Sequence, residues 1–352
     1  MAGLLITTAT ACGGGSSAPP VTAATPGTTS SAVRGMEIPV SEAFERAVTT
    51  GTRTRTGAPG PRYWQQWSEY RLEAELNPIS KRLTGQGTIA YHNRSPDTLN
   101  EVYVQLLHNL FAPGARHNTD VPWSVEGVEL SRVAAQGQLL KASEKEEGPG
   151  YKVDGTIMRI RLPKPLPPGG TAAFDIAWKL RIPPDGAPRG GQDGEAFFIN
   201  YWYPQMAVYD DVNGWQTDQY LGNAEFYMGY GNYDVALTLP AGWLVTSTGT
   251  LRNPSEVLSS QTRARLDTAS HARGIVRVVT EADRSAGTST TAGTNGKLTW
   301  RFRADSVRDV SWATSSRYLW DATNAAVGDV DGDGRPDTTA INAFYRPELR
   351  AS

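Results

Sequence analysis

The stretch FFINYWYPQMAVYDDVNGWQTDQYLGNAEFYMGYGNYDVALTLPAGWLVTSTG, residues 197–249, decides how the rest of the chain is read. Twelve of the 37 residues at 197–233 are aromatic, against roughly three expected from the chain's 9% aromatic content. Such density in a folded chain means an aromatic-rich β core or a stacking surface for a ligand. Aromatic residues in sheets are more often core, so for Trp202, Tyr203, Trp215, Tyr220 and Tyr227 a packing role outweighs a ligand-stacking one. The block runs on into strand candidates at 233–239 and 245–251.

Outward from this block the β pattern continues in both directions. Tyr70, Leu72, Ala74 and Leu76 alternate with polar residues, Asn77-Pro78 turns the chain, and 83–91 makes the return strand. A second turn follows at Asn93-Arg94-Ser95-Pro96-Asp97, and the mostly apolar run at 102–107 is short enough for a buried strand. Further strands are expected at 156–162, 171–180, 274–280 and 297–304, punctuated by Pro-Pro and Gly-Gly pairs at 167–170 and 183–191. Residues 284–296 read as a long mobile hairpin loop and 134–150 as exposed loop. A short helix is expected at 41–48, with Ser41 as its N-cap and the GAPGP run at 57–61 as its end. The class is all-β.

At 352 residues the chain has ample length to bury a core, and its net charge of −2 argues against a nucleic-acid binder. Charged residues are only 20%, while 36 Gly and 23 Pro suit a turn-rich β protein. The single cysteine, Cys12, excludes an internal disulfide and a CxxC metal site. No run of 18 apolar residues exists to form a membrane-spanning helix. The start, MAGLLITTATAC, is apolar, ends in small residues and precedes GGGSS, which reads as the tail of a bacterial lipoprotein signal with Cys12 as the lipidated residue. The basic segment that normally opens such a signal is absent. The expectation is an exported chain, periplasmic or at the cell surface, touching a membrane only through a lipid on Cys12. Residues 13–35 are small, polar and Pro-studded, a disordered tether. The expected divisions are 1–12 signal remnant, 13–60 linker with the short helix, 61–337 β domain, and 338–352 the opening of a further domain that the chain does not complete.

Several short motifs follow one another along the chain. They are Tyr63-Trp64-Gln65-Gln66 with Tyr70-Arg71-Leu72, then Leu83-Thr84-Gly85 with Tyr91-His92-Asn93, Ser95-Pro96-Asp97-Thr98-Leu99 and Leu106-Leu107-His108-Asn109. Next come Trp202-Tyr203-Pro204, Glu225-Phe226, Tyr233-Asp234-Val235, Leu239-Pro240, Thr248-Gly249 and finally Asp309-Val310-Ser311-Trp312-Ala313. In that order they resemble the N-terminal β domain of the M1 zinc aminopeptidases, a gluzincin family. The resemblance spans about residues 61–350. It implies a saddle-like antiparallel β-sheet assembly beside a thermolysin-like domain, which carries HExxH and a downstream glutamate as zinc ligands and water activator. None of the four histidines here, His92, His108, His117 and His271, is followed by Glu, and no two are three or four apart. The resemblance therefore implies zinc and a peptide substrate for a full-length member, with this chain forming one wall of the cleft and inactive alone. That family uses an N-terminal-domain glutamine near the substrate's amino end, for which the nearest candidates are Asn200 and Gln205. Gly35-Met36-Glu37 resembles the family's amine-binding motif but precedes the β domain instead of following it, and is set aside.

Two further patterns carry chemistry. Asp329, Asp331, Asp333 and Asp337 have the spacing of a calcium loop, with Gly332 and Gly334 letting the backbone curl, although Ala340 stands where an EF-hand has its bidentate Glu. The plainer reading is an acidic Gly-rich hairpin. Asp210-Asp211 with Glu225 has the composition of a glycosidase acid pair, but adjacent aspartates before Asn213-Gly214 fit a turn better. A different class of function also fits the sequence: a lipid-tethered β module binding glycans or proteins through Trp202 and Trp215.

Overall fold

A computed structural model describes residues 39–145, 147–184, 189–224, 226–330 and 332–349. The chain divides into two units, 1–41 and 42–352, and the second is described here. Cys12, the 13–35 tether and Gly35-Met36-Glu37 lie outside the described residues.

The alternation at 70–76 is realised along the whole strand Trp67–Asn77. Ser68, Tyr70, Leu72, Ala74 and Leu76 are buried, while Glu69, Arg71, Glu73 and Glu75 point to solvent. Successive strand side chains leave on opposite faces, so this register gives one apolar and one charged face. The strand Arg82–His92 returns antiparallel beside it, and Thr171–Arg181 pairs with that in turn. On the other side Gly231–Pro240 lies parallel to Trp67–Asn77 and pairs antiparallel with Lys297–Val307. Short strands Thr250–Leu251, Glu129–Ala135 and Gln138–Leu139 complete an eight-stranded sheet. It is mixed, because the one parallel pairing joins segments about 150 residues apart, a separation that no hairpin imposes.

Against its apolar face lie two four-stranded sheets. One contains Ala196–Ile199, Trp312–Ser315, Leu244–Ser247 and Gly190–Asp193; the other Leu99–Gln105, Ile157–Leu166, Gly150–Asp154 and Gln205–Met206. A continuous core joins the sheets, with Trp178, Trp202, Trp300, Tyr91, Tyr233 and Phe174 among its fully buried side chains. A three-stranded sheet of Val276–Val279, Leu319–Gly328 and Asp337–Tyr345 follows. The all-β class expected from the sequence is the class observed.

Two segments differ from their expected form. Residues 134–150, read as exposed loop, begin with buried Ala134 and Ala135 at the end of a sheet strand, and Leu140 is also buried. Gln136 and Gly137, both at positive φ (53° and 80°), reverse the chain into a tight hairpin. Residues 284–296, read as mobile, are fastened. The helix Glu281–Ser285 is closed by a reciprocal cap between Thr280 and Asp283, Ser289 and Thr290 are buried, and Thr262 donates to the Ser289 carbonyl at 2.9 Å. The partner in that last bond sits on a helix the sequence did not signal, Ser260–His271. Its residues are mostly polar and only Thr262 and Ala269 are buried, so it lacks the apolar stripe that marks a helix, although Ser259 caps it through Thr262 N. The helix expected at 41–48 is present as Glu42–Thr50.

Gly85 shows how tightly the core is fitted. A Cβ there would lie 2.4 Å from Trp178, which covers the glycine from the adjacent strand. Gly85→Ala is expected to lower stability by about 1–3 kcal/mol through overpacking, read as a drop in the urea midpoint with the slope unchanged. An unchanged midpoint would show that Trp178 moves aside freely.

Candidate functional site

Four of the motifs scattered through the sequence meet at one place in the core. Tyr70 and Tyr233, facing one another across the parallel pair, stack with ring centroids 4.4 Å apart. Tyr203 sets its ring edge-on to both, at 5.7 and 6.0 Å. Its hydroxyl donates to Asp309 Oδ1 at 2.8 Å and lies 3.4 Å from the Tyr233 hydroxyl. Val310 N also donates to Asp309 Oδ1, at 2.7 Å. Burial pushes the Asp309 carboxyl above the usual carboxylate range, against these hydrogen bonds, which favour the ion. Burial also pushes the Tyr203 and Tyr233 phenols well above their ordinary value, so both remain neutral donors.

Trp202 ties this cluster to the rest of the core. Its Nε1 donates to the Val310 carbonyl at 2.9 Å, and its own carbonyl accepts from Trp178 Nε1 at 2.7 Å. Its ring meets Trp312 edge-on at 6.2 Å. Trp202 is 1% exposed, so the stacking role weighed for it is closed by packing. Trp215 is half-buried against Tyr209, Tyr103 and Tyr91. The aromatic block therefore divides. Phe197, Trp202, Tyr203, Tyr220 and Tyr233 are core, whereas Phe198, Tyr227 and Tyr230 keep 45%, 52% and 40% exposure.

The two candidates for the substrate's amino end are placed differently. Gln205 is buried, and its Nε2 donates to the Arg308 carbonyl at 2.8 Å, which fixes the strand entering Asp309. Asn200 is half-buried at the end of Ala196–Ile199, next to Tyr201, whose backbone is held at φ 54°. A tyrosine in the left-handed region is uncommon and carries strain that the surrounding packing must hold. Here the ring of Tyr201 packs on Phe226 at 4.5 Å and on Tyr220 at 6.3 Å.

Asp210 and Asp211 occupy a hairpin turn between Tyr209–Asp210 and Gly214–Trp215. Asp211 is held by Arg53 through two hydrogen bonds, Nε to Oδ2 at 2.8 Å and Nη2 to Oδ1 at 2.7 Å. Burial works against its ionised form, but the bonds from Arg53 and Thr52 and the Arg53 charge outweigh this and hold the carboxyl below its ordinary value. Glu225 lies outside the described residues.

At the acidic loop, Asp329 accepts from Gly332 N at 2.7 Å and Gly334 N at 2.9 Å, Asp333 from Arg335 N at 2.9 Å, and Asp337 from Val330 N at 2.8 Å. Asp331 lies outside the described residues. Among the described residues no three His, Cys, Asp or Glu side chains gather as a metal would need. The donor set for a peptidase zinc is likewise not met by the histidines. His108 Nε2 contacts the Arg181 carbonyl at 2.9 Å, His117 Nε2 the Leu110 carbonyl at 2.7 Å, and His92 Nδ1 the Thr171 hydroxyl at 2.9 Å.

A cleft opens beside the tyrosine cluster, with about 90 Å³ of interior space. Residues 63–66, 206–211 and 227–230 form its sides, and Tyr70 and Tyr91 lie at its base. Sequence reasoning did not find it, because its walls come from three distant segments.

Comparisons with known proteins complete the description. No family model matches the sequence, and no curated protein matches it. Among solved structures it is similar to an M1 zinc metallopeptidase from Deinococcus radiodurans, at 13% identity and a TM-score of 0.42, over 78% of this chain and 46% of that one. A form of that enzyme bound to a Tyr-Ser-Ala substrate matches at 13% identity and 0.43, over 79% and 47%. A two-domain M1 zinc metallopeptidase bound to L-tryptophan matches at 13% identity and 0.43, over 82% and 50%. The chain spans about half the length of the solved structures it matches.

His108 supplies a pH test of this packing. Burial lowers its pKa from 6.5 to about 4, against the Arg181 carbonyl contact, so the folded protein holds it neutral. The unfolded chain binds the proton more readily, so this contribution is whole above about pH 6.5 and is lost as pH falls toward 4. Between pH 7.5 and 5 the loss is on the order of 2 kcal/mol. The urea stability of wild type is expected to fall by that much more than that of His108→Gln over the same interval. Parallel curves for the two proteins would contradict the assignment.

Proposed function

We propose that this chain is the non-catalytic β domain of an exported M1-like zinc aminopeptidase, and that it walls one side of the peptide cleft. The observation that carries the reading is the convergence of the family-like motifs. Tyr70, Trp202-Tyr203, Tyr233 and Asp309-Val310 are drawn from four distant segments and form one hydrogen-bonded aromatic cluster. Residue types at such a junction are set by mutual fit, and a chance series of short matches has no reason to share a location.

In this reading the reaction belongs to a domain carrying HExxH and a downstream glutamate. There zinc would supply the bound water that attacks the peptide carbonyl. The chain's own residues do something else: they shape and limit the cleft. Asn200, half-buried beside the strained Tyr201, is the candidate to meet the peptide's amino end, while Gln205 supports the wall from inside. Peptide is the partner and nucleic acid is not. A lipid on Cys12 would hold the protein at a bacterial membrane, on its periplasmic or outer face. Calcium bound at Asp329, Asp331, Asp333 and Asp337 would stiffen the hairpin that bears them, a structural role apart from catalysis.

The purified 352-residue chain is expected to release no product from leucine or alanine p-nitroanilide, with or without added zinc. Hydrolysis that zinc supports and a chelator abolishes would overturn the assignment of the chemistry to another domain.

A further inference from the structure

We propose that the cleft bounded by residues 63–66, 206–211 and 227–230 binds a neutral, hydroxyl-bearing ring, the terminal pyranose of a glycan. This goes beyond the peptidase reading and does not depend on it.

The walls are aromatic. Tyr63, Trp64, Tyr91, Tyr209, Tyr227 and Tyr230 all line the cleft. Trp64 and Tyr209 stack on each other with centroids 5.5 Å apart, which holds both rings in place in the wall. Tyr227 and Tyr230 are half-exposed, which places rings at the mouth as well as inside. Flat π faces of this kind suit the C–H face of a sugar ring.

At the base stands an unsatisfied donor. Tyr91 is 1% exposed, and its hydroxyl has no hydrogen-bond partner. A buried hydroxyl without a partner is unfavourable, and a ligand hydroxyl would supply the missing bond. Burial pushes this phenol well above its ordinary value, so it stays neutral and can both donate to and accept from a ligand hydroxyl.

The charges around the cleft argue for a neutral ligand. Asp211 is taken up by Arg53. Asp210 Oδ1 accepts from Val212 N and Asn213 N, at 3.0 and 2.7 Å, and the carboxylate also takes a hydrogen bond from the Tyr227 phenol and a long 3.4 Å approach from Gln216 to Oδ2. Arg308 lies over the Tyr230 ring at 4.9 Å. One carboxylate and one guanidinium therefore line the same space, a balance that favours neither a bare cation nor a bare anion. At about 30 Å³ for each water, the 90 Å³ of interior space holds roughly three waters, so a sugar ring enters with one edge and leaves the rest at the open mouth.

The test is saturation-transfer NMR on the intact 352-residue protein. The probes are methyl α-D-glucopyranoside, methyl β-D-galactopyranoside and methyl N-acetyl-β-D-glucosaminide, with trialanine as the peptide control. Transfer to the ring protons of at least one glycoside is expected. Trp64→Ala should abolish it, and Tyr91→Phe should weaken binding about threefold to tenfold. Phe198→Ala, which removes an exposed ring outside the cleft, should leave binding unchanged. Tyr91→Phe removes only an unpartnered oxygen, so its thermal midpoint should hold or rise, which separates lost binding from lost folding. Silence from all three glycosides, binding of trialanine in their place, or binding indifferent to both Trp64→Ala and Tyr91→Phe would each overturn the proposal.

Discussion

A partly buried carboxylate with no ion-pair partner among the described residues is the constraint on which this fold turns. Asp309 sits among three tyrosines and is held by the Tyr203 hydroxyl at 2.8 Å and the Val310 amide at 2.7 Å. Each of these donors must come to it, because burial leaves the carboxyl poorly solvated. Tyr203 is brought by the 202–204 turn, whose Trp202 is itself clamped between the Trp178 indole and the Val310 carbonyl. Three otherwise separate pieces of chain, 171–181, 202–205 and 308–312, are therefore fixed by one polar junction within an apolar core. Area burial alone would tolerate many arrangements of such large rings. The hydrogen bonds select one of them.

The sheet system follows from simpler physics, and most of it is legible in the sequence. Period-two alternation at Tyr70, Leu72, Ala74 and Leu76 gives both the strand and its buried face, since any slip by one residue would bury Glu69, Arg71, Glu73 and Glu75. What alternation cannot supply is the partner. The parallel pairing of Trp67–Asn77 with Gly231–Pro240 spans too much chain to be read from any local signal. Helix Ser260–His271 escapes for the opposite reason, because its stability comes from a few contacts with neighbouring strands and its sequence carries almost no apolar stripe. The polar run at 284–296 resembles a loop by composition, yet Ser289 and Thr290 are buried through hydrogen bonds that composition does not record.

The functional surface was legible only in outline. The aromatic density at 197–233 does mark the centre of the molecule, but the sequence cannot sort its rings. Trp202 proves wholly buried and Tyr227 half-exposed because they leave the chain in different directions. Gln205 likewise looks, as a residue type, as available as Asn200, and only its bond to the Arg308 carbonyl shows it turned inward. The unsatisfied Tyr91 hydroxyl has no sequence signature at all, since the missing partner is a property of three segments folded together.

The central claim, that this β domain serves a zinc peptidase, is tested most directly by reading the source locus past codon 352. The account predicts an uninterrupted frame encoding HExxH and a downstream glutamate. A stop codon immediately after Ser352 would contradict it.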